Sequence, residues 1–203
     1  MSERWTPLDV NDVAADPFEQ FQLWFAEALG VMDEREAVAL VTATPDGVPS
    51  ARMVLMRHHD NHSFGWYTNY DSRKAQELAA NPRAALLWYC EPLGRQIRIE
   101  GSVERMTADQ SDAYFATRHR GSQFGAHASH QSQPLESRAE LEEKVGEFAS
   151  LYEGRDVPRP EFWGGYHLTP TRFEFWQHRD DRLHDRVLYL AAGSGWQRER
   201  LAP

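Results

Sequence analysis

Arg182, His184 and Arg186 stand two apart near the C-terminal end of the chain, in the string Arg182-Leu-His-Asp-Arg186. Alternate side chains of a strand share a face, so on a strand this spacing makes one row of two guanidiniums and an imidazole. Such a row repels itself unless an anion or an electron-rich ring lies over it. A row of this kind can orient a ligand and stabilise charge that develops on it. Asp180, Asp181 and Asp185 lie close enough in sequence to make the same residues a salt-bridged, solvated edge. Spacing alone weighs the two readings equally.

Two further sets of cations have anion-binding chemistry. Arg52 and Arg57 interrupt an otherwise apolar strand, and strict alternation would put them on opposite faces. Arg73 and Lys74 fall in the first turn of an expected helix, where cations oppose the helix dipole. An anion at that helix N-terminus would remove the conflict and use its free backbone N–H groups. Taken singly, each residue fits a solvated or structurally paired cation; together they make one phosphate site an even alternative. The second set is Tyr114, Arg118 and Ser122. Tyr114 and Arg118 share a helix face, and Ser122 follows in an expected loop. Hydroxyl, guanidinium and hydroxyl make a phosphate clamp, although an arginine at a helix C-terminus also simply answers the dipole.

Other chemistries have less support. Of the nine histidines, His58, His59 and His62 crowd one turn and His127 and His130 another, without metal-binding spacing or a cysteine pair, and these read as solvated. The one cysteine, Cys90, sits in an apolar run without a local cation and reads as a packed thiol. No glycine-rich dinucleotide fingerprint, P-loop or nucleophile elbow is found. A net charge of -9 argues against nucleic acid as partner. No apolar stretch has membrane-spanning length, and the first ten residues carry no apolar signal core, so no membrane partner and a cytoplasmic location are expected.

These residues need a scaffold, and 203 residues fit one domain. Residues 1–15 are polar and aperiodic and read as a mobile N-terminal arm, with a single domain over 16–203. Asp16-Pro17 starts a helix with aromatic residues at helical spacing. Strands are expected over Ala37–Ala43, Ser50–Arg57, Ser63–Thr68, Ala84–Cys90 and Gln96–Arg105, with a polar turn over His58–Asn61. Helices are expected over Arg73–Ala80, from a capping box at Thr107-Ala-Asp-Gln110 through Ala116, and over Arg138–Leu151. Gly121–Pro134 reads as a loop. Short strands near Tyr166–Leu168, Arg172–Gln177, Val187–Leu190 and Trp196–Arg200 complete the chain. Many strands joined by hairpin turns give a mainly β, α+β fold: an antiparallel barrel with flanking helices.

In order along the chain stand Arg52-Met-Val-Leu-Met-Arg57, Tyr67-Thr-Asn69, Ser72-Arg-Lys74, Gly94-Arg-Gln96, Tyr114-Phe115, Arg118, Ser122-Gln123, Gln131-Ser132, Phe162-Trp-Gly-Gly165, Glu174-Phe-Trp-Gln177, Arg182-Leu-His-Asp-Arg186 and Arg200-Leu-Ala-Pro203. This ordered set resembles the pyridoxine/pyridoxamine 5′-phosphate oxidase family from about residue 16 to the end. The resemblance implies a Greek-key FMN-binding split barrel, working as a homodimer with FMN at the interface. It implies oxidation of pyridoxamine or pyridoxine 5′-phosphate to pyridoxal 5′-phosphate, with O2 reduced to hydrogen peroxide. Carried over by position, Arg52, Met53, Val54, Leu55, Tyr67, Thr68, Arg73, Lys74, Gln96, Gln131, Ser132, Trp176 and Arg186 would bind FMN. Arg57, Tyr114, Arg118 and Ser122 would grip the substrate phosphate, and Arg182 and His184 would lie against its ring as the catalytic pair. The chain departs from the family where Arg57 replaces a usual Lys and His127 a usual Trp. The run His178–Asp181 replaces a glycine-containing stretch, and a paired-arginine N-terminal segment is missing. A sister oxidase acting on another ring, such as a phenazine precursor, and a non-enzymatic flavin or pyridoxal-phosphate binder are the alternatives.

Overall fold

The structure, a computed structural model, describes residues 5–203. Helix α1 (Pro17–Glu27) starts where Asp16 accepts the Phe18 N–H at 2.8 Å, with Pro at the first helical position. Phe18, Phe21, Trp24 and Phe25 are buried against sheet aromatics Phe64, Phe173, Phe175 and Trp88. Burying each phenylalanine contributes about 1.5–3 kcal/mol, so this face fixes the helix to the sheet.

The strands are β1 (Ala37–Ala43), β2 (Pro49–Leu55), β3 (His58–His59), β4 (Phe64–Asn69), β5 (Arg83–Cys90), β6 (Arg95–Arg105), β7 (Trp163–Gln177), β8 (Asp185–Ala192) and β9 (Gly195–Arg200). They form one curled antiparallel sheet in the order β2-β1-β5-β6-β7-β4-β3, with β8 and β9 leaving from β7. One edge of β7 pairs with β6; the other pairs first with β4, over Trp163–Leu168, and then with β8, over Arg172–Gln177. The sheet thus divides along β7 into two arms.

The other helices are α2 (Arg73–Ala80), α3 (Ala108–Ala116), α4 (Arg120–Ala128) and α5 (Arg138–Leu151). Helices α3 to α5 enclose a second apolar cluster of Phe115, Phe124, Val157 and Trp163. Thr107 and Gln110 form the expected capping box of α3. Cys90 is buried, and burial pushes its thiol pKa up.

The structure corrects four expectations. The span Gly121–Pro134 is not all loop: α4 occupies Arg120–Ala128, because Phe124 and Ala128 bury and Gln123 donates to the Phe115 carbonyl at 2.9 Å. Tertiary contact overrides the low helix propensity of its two glycines. The two strands at Tyr166–Leu168 and Arg172–Gln177 are one, β7, running through Pro170. Pro170 faces Gly101 where the ladder shifts register, a bulge that needs no N–H from it. β2 ends at Leu55, short of Arg57, and His58–His59 pairs with β4 in place of a turn. Residues 5–15 lie against the sheet: Leu8 and Val13 are buried, and Arg198 donates to the Val10 and Val13 carbonyls.

Candidate functional site

The end of β2, the middle of β4, the start of α2 and the α3–α4 junction enclose a pocket of about 660 Å³. Twelve residues expected in the site line it: Arg52, Met53, Val54, Leu55, Arg57, Tyr67, Thr68, Lys74, Tyr114, Arg118, Ser122 and Gln131. Arg52 and Arg57 were expected on opposite faces. They meet because β2 stops at Leu55, and the Met56 and Arg57 N–H groups turn to the Glu36 and Gly65 carbonyls. Ser122 is also corrected: it stands in the first turn of α4, not in a loop.

In the pocket lining the buried Lys74 ammonium donates to Thr68 Oγ1 (3.0 Å), Ser72 Oγ (3.2 Å) and Gln131 Oε1 (2.7 Å), all neutral oxygens. Burial, with Arg52 adding repulsion, lowers its pKa to about 8. Ser72 gives its hydroxyl to the Asn69 carbonyl at 2.7 Å and makes no side-chain cap for α2. Arg52 donates to Thr42 Oγ1 (2.6 Å), Ser50 Oγ (2.5 Å) and, at 3.4 Å, to Glu77. Glu77 is buried; burial pushes its carboxyl up, but hydrogen bonds from Ser50, Thr42 and Arg73 outweigh this and hold it at about 2. One carboxylate therefore answers Arg52 and Arg73, and none bonds Lys74 among the described residues.

Arg118, also in the lining, lies over the Trp163 ring, 4.6 Å from its centroid. Its Nη1 is buried without a hydrogen-bond partner, and burial lowers its pKa. Tyr67, Tyr114 and Trp163 stack in near-parallel planes, Tyr67 and Tyr114 with centroids 3.8 Å apart and Tyr67 and Trp163 5.4 Å apart. A pocket-lining guanidinium with an unpaired buried nitrogen and a lysine among neutral oxygens both fit an anion. The pocket is lined by cations and by the stacked rings of Tyr67, Tyr114 and Trp163. Its donor set fits a flavin mononucleotide phosphate at Lys74 and a second phosphate at Arg118.

Seven expected residues do not line this pocket. Arg73, itself exposed, turns to the buried Glu77, with Nε 2.8 Å from Oε1. Ser132 lines the neighbouring hollow against α5, with a left-handed φ of 71°. Gln96, Trp176 and Arg186 are paired neighbours across β6, β7 and β8. Arg182 and His184 lie in the link before β8, which corrects the one-faced row. Arg182 ends a 3-10 turn (Asp180–Arg182), His184 precedes the strand, and only Arg186 is on it. Arg186 is bonded to the buried Glu174, Nε to Oε1 at 2.9 Å. His184 stands over Trp176, centroids 4.5 Å apart. Trp163 and Trp176 are at opposite ends of β7, ~40 Å apart along an extended strand.

Three further lining residues, Thr117, His119 and Trp163, had no assigned role. Neither did Glu77, the buried counter-charge of the pocket; its i,i+4 spacing from Arg73 was the available signal. Among the described residues no group of three His, Cys, Asp or Glu side chains is placed to hold a metal ion. Among the described residues no helix is long and apolar enough to cross a membrane.

A curled antiparallel sheet split along one strand, flanked by helices and carrying a cation-ended pocket beside its barrel, defines the split-barrel class of anion-binding protein. Residues 26–152 match the family model described as pyridoxamine 5′-phosphate oxidase. Residues 163–203 match that of the pyridoxine 5′-phosphate oxidase C-terminal dimerisation region. The chain belongs to the pyridoxamine 5′-phosphate oxidase family. It is 57% identical to the pyridoxine/pyridoxamine 5′-phosphate oxidase of Rubrobacter xylanophilus, over 93% of this chain and 87% of that protein. With the enzyme of that name from Bordetella petrii it is 53% identical, over 95% and 92%. Among solved structures, PhzG from Burkholderia lata, in complex with tetrahydrophenazine-1-carboxylic acid, superposes with a TM-score of 0.91 at 32% identity, covering 98% of this chain and 99% of that one.

Proposed function

We propose that this protein is an FMN-dependent oxidase that converts pyridoxamine and pyridoxine 5′-phosphate to pyridoxal 5′-phosphate, with O2 reduced to hydrogen peroxide. The observation that carries this reading is a pocket lined by four cations, Arg52 and Lys74 from one group of expected residues and Arg57 and Arg118 from the other. A phosphorylated cofactor and a phosphorylated substrate need two such grips. The names of the relatives supply the substrate class.

Arg52, Arg73, Lys74, Gln131 and Ser132 hold the FMN phosphate end. Met53, Val54, Leu55, Tyr67, Thr68, Gln96, Trp176 and Arg186 complete the flavin site. FMN held there would supply the two-electron acceptor, with O2 as the terminal oxidant. Arg57, Tyr114, Arg118 and Ser122 fix the substrate phosphate. Arg182 and His184 cover the pyridine ring, keep it in place and offset charge that develops on it. The second group stands away from the pocket of its own chain, so it serves the pocket of a second copy. The matched dimerisation region supports this homodimer, with FMN at the interface. The continuous sheet, with residues 5–15 packed on it, supports one domain; the reading takes the protein to be cytoplasmic.

The visible spectrum of the purified protein tests the reading. A flavin spectrum that bleaches when pyridoxamine phosphate is added without oxygen, with peroxide formed in air, is the expected result. A protein that stays colourless with added FMN removes the flavin reading. The close superposition on PhzG favours a second reading, a sister oxidase of a phenazine-type ring. The Arg118 clamp weighs against it, and bound flavin without peroxide from either phosphorylated vitamer would decide for it.

A further inference from the structure

Where β7 ends, four aromatic rings form a chain. Trp5 meets His178 edge-on at 5.5 Å, His178 meets His184 at 5.1 Å and Trp176 at 6.0 Å, and His184 lies over Trp176. His178 is fixed from behind. Its N–H donates to the Gly94 carbonyl at 2.7 Å, and Gly94 has a φ of 60°. A Cβ at Gly94 would come within 2.9 Å of the His178 Cβ and 3.1 Å of the Trp5 ring, so this close packing depends on glycine. The next backbone N–H, of Arg179, donates to His184 Nδ1 at 3.2 Å.

We propose that His178, with the Arg179 N–H, is a positioning residue that holds His184 with Nδ1 accepting and its single proton on Nε2, directed away from the protein. An imidazole nitrogen that accepts a hydrogen bond carries no proton, so the Arg179 N–H selects this tautomer. An imidazolium would set Nδ1–H against the Arg179 N–H, so the same contact keeps the ring neutral. The His178 ring closes the side from which His184 would otherwise rotate off that N–H. The groups around His184 agree. His178 comes from the end of β7 and Arg182 from the 3-10 turn, and both repel a proton. Asp185 follows in the chain, but its carboxylate is engaged by the Leu8 N–H and by Arg200 at 3.1 Å. Burial, then His178 and Arg182, lower the His184 pKa. His184 would thus meet its ligand as a neutral Nε2–H donor, which can serve the ring oxygen or nitrogen of a pyridine. The inference deepens the proposed role of His184 and rests on it.

The test is long-range 1H–15N spectra of the full-length holoprotein, labelled at histidine, through a pH titration, with parallel pH–rate profiles. In the wild type His184 is expected as the Nε2–H tautomer, titrating below the ordinary histidine value of about 6.5. His178→Ala should give mixed tautomers and raise that midpoint. It should also lower kcat about tenfold while changing KM for pyridoxamine phosphate by under about threefold. His178→Phe keeps a ring in place and should retain the single tautomer. An unchanged tautomer and midpoint in His178→Ala overturns the proposal, and so does a His178→Phe protein that behaves like His178→Ala. His184→Ala separates the underlying role: full turnover in that variant would remove His184 from the site while leaving the tautomer result standing.

Discussion

The pocket and the C-terminal turn are both built around cations, and they are held in opposite ways. In the pocket, Lys74 and Arg52 are pinned by side-chain oxygens from β1, β2, β4 and the start of α2, and Glu77 sits behind them at 5% exposure. In the turn, Asp181 and Arg182 are exposed, and both occupy the left-handed region, with φ of 56° and 62°. Each such non-glycine residue costs about 1–2 kcal/mol. One chain preorganises the pocket through buried polar contacts. The turn is kept in a strained shape by ring packing and by its join to β8. The pocket cations thus stand in the rigid part of the molecule, and Arg182 in a part that stores backbone strain.

The largest test of this contrast is Glu77→Gln. It leaves Arg52 and Arg73 without their shared carboxylate and should lower unfolding stability by about 3 kcal/mol, read by urea denaturation. The Glu77 carboxyl is held at about 2 in the fold, below the ordinary 4.5, so its contribution is fully present above about 4.5. It is lost as pH falls toward 2, and the gap between wild type and variant should close over that window. A gap that stays constant would mean that Glu77 acts through packing.

Arg182→Ala should do the reverse: slow turnover on the order of 100-fold with little change in melting temperature or FMN affinity. Equal loss of turnover and FMN affinity would place Arg182 with the flavin or the fold. Lys74→Met should weaken FMN binding tenfold or more in a fluorescence titration, the cost of one charge-assisted hydrogen bond. In the wild type FMN affinity should fall as pH rises past about 8, where the flavin-free Lys74 loses its proton. The variant should lack that decline. The smallest effect is expected of Asp181→Gly, which relieves one left-handed residue and should raise unfolding stability by about 1 kcal/mol.

Local signals were read well from the chain. β1 and α2 have the bounds their patterns predict, and the α1 and α3 caps stand at Asp16 and Thr107. Most of the misses are tertiary. α4 is helical because Phe124 finds a buried place against its neighbours, which its composition does not reveal. β7 passes through Pro170 only because Gly101 on another strand accommodates a bulge. The anion pocket was legible as a list of cations. Its geometry depends on where β2 stops, and a two-residue error there changes which face Arg57 takes. Trp163 was visible as a motif residue, but its place under Arg118 comes from the fold of α3 onto β7. The row at Arg182–Arg186 failed on backbone conformation, since a left-handed pair cannot be read from Asp-Arg.

β7 has a consequence of another kind. It acts as a ruler, with the wall of the pocket at its Trp163 end and the Trp176 platform at the other. No ligand the size of a nucleotide spans that length. In the proposed homodimer a twofold axis would set each end of β7 beside the opposite end of its copy, so that both sites would be completed together. On that reading the length of one strand sets the spacing between the two.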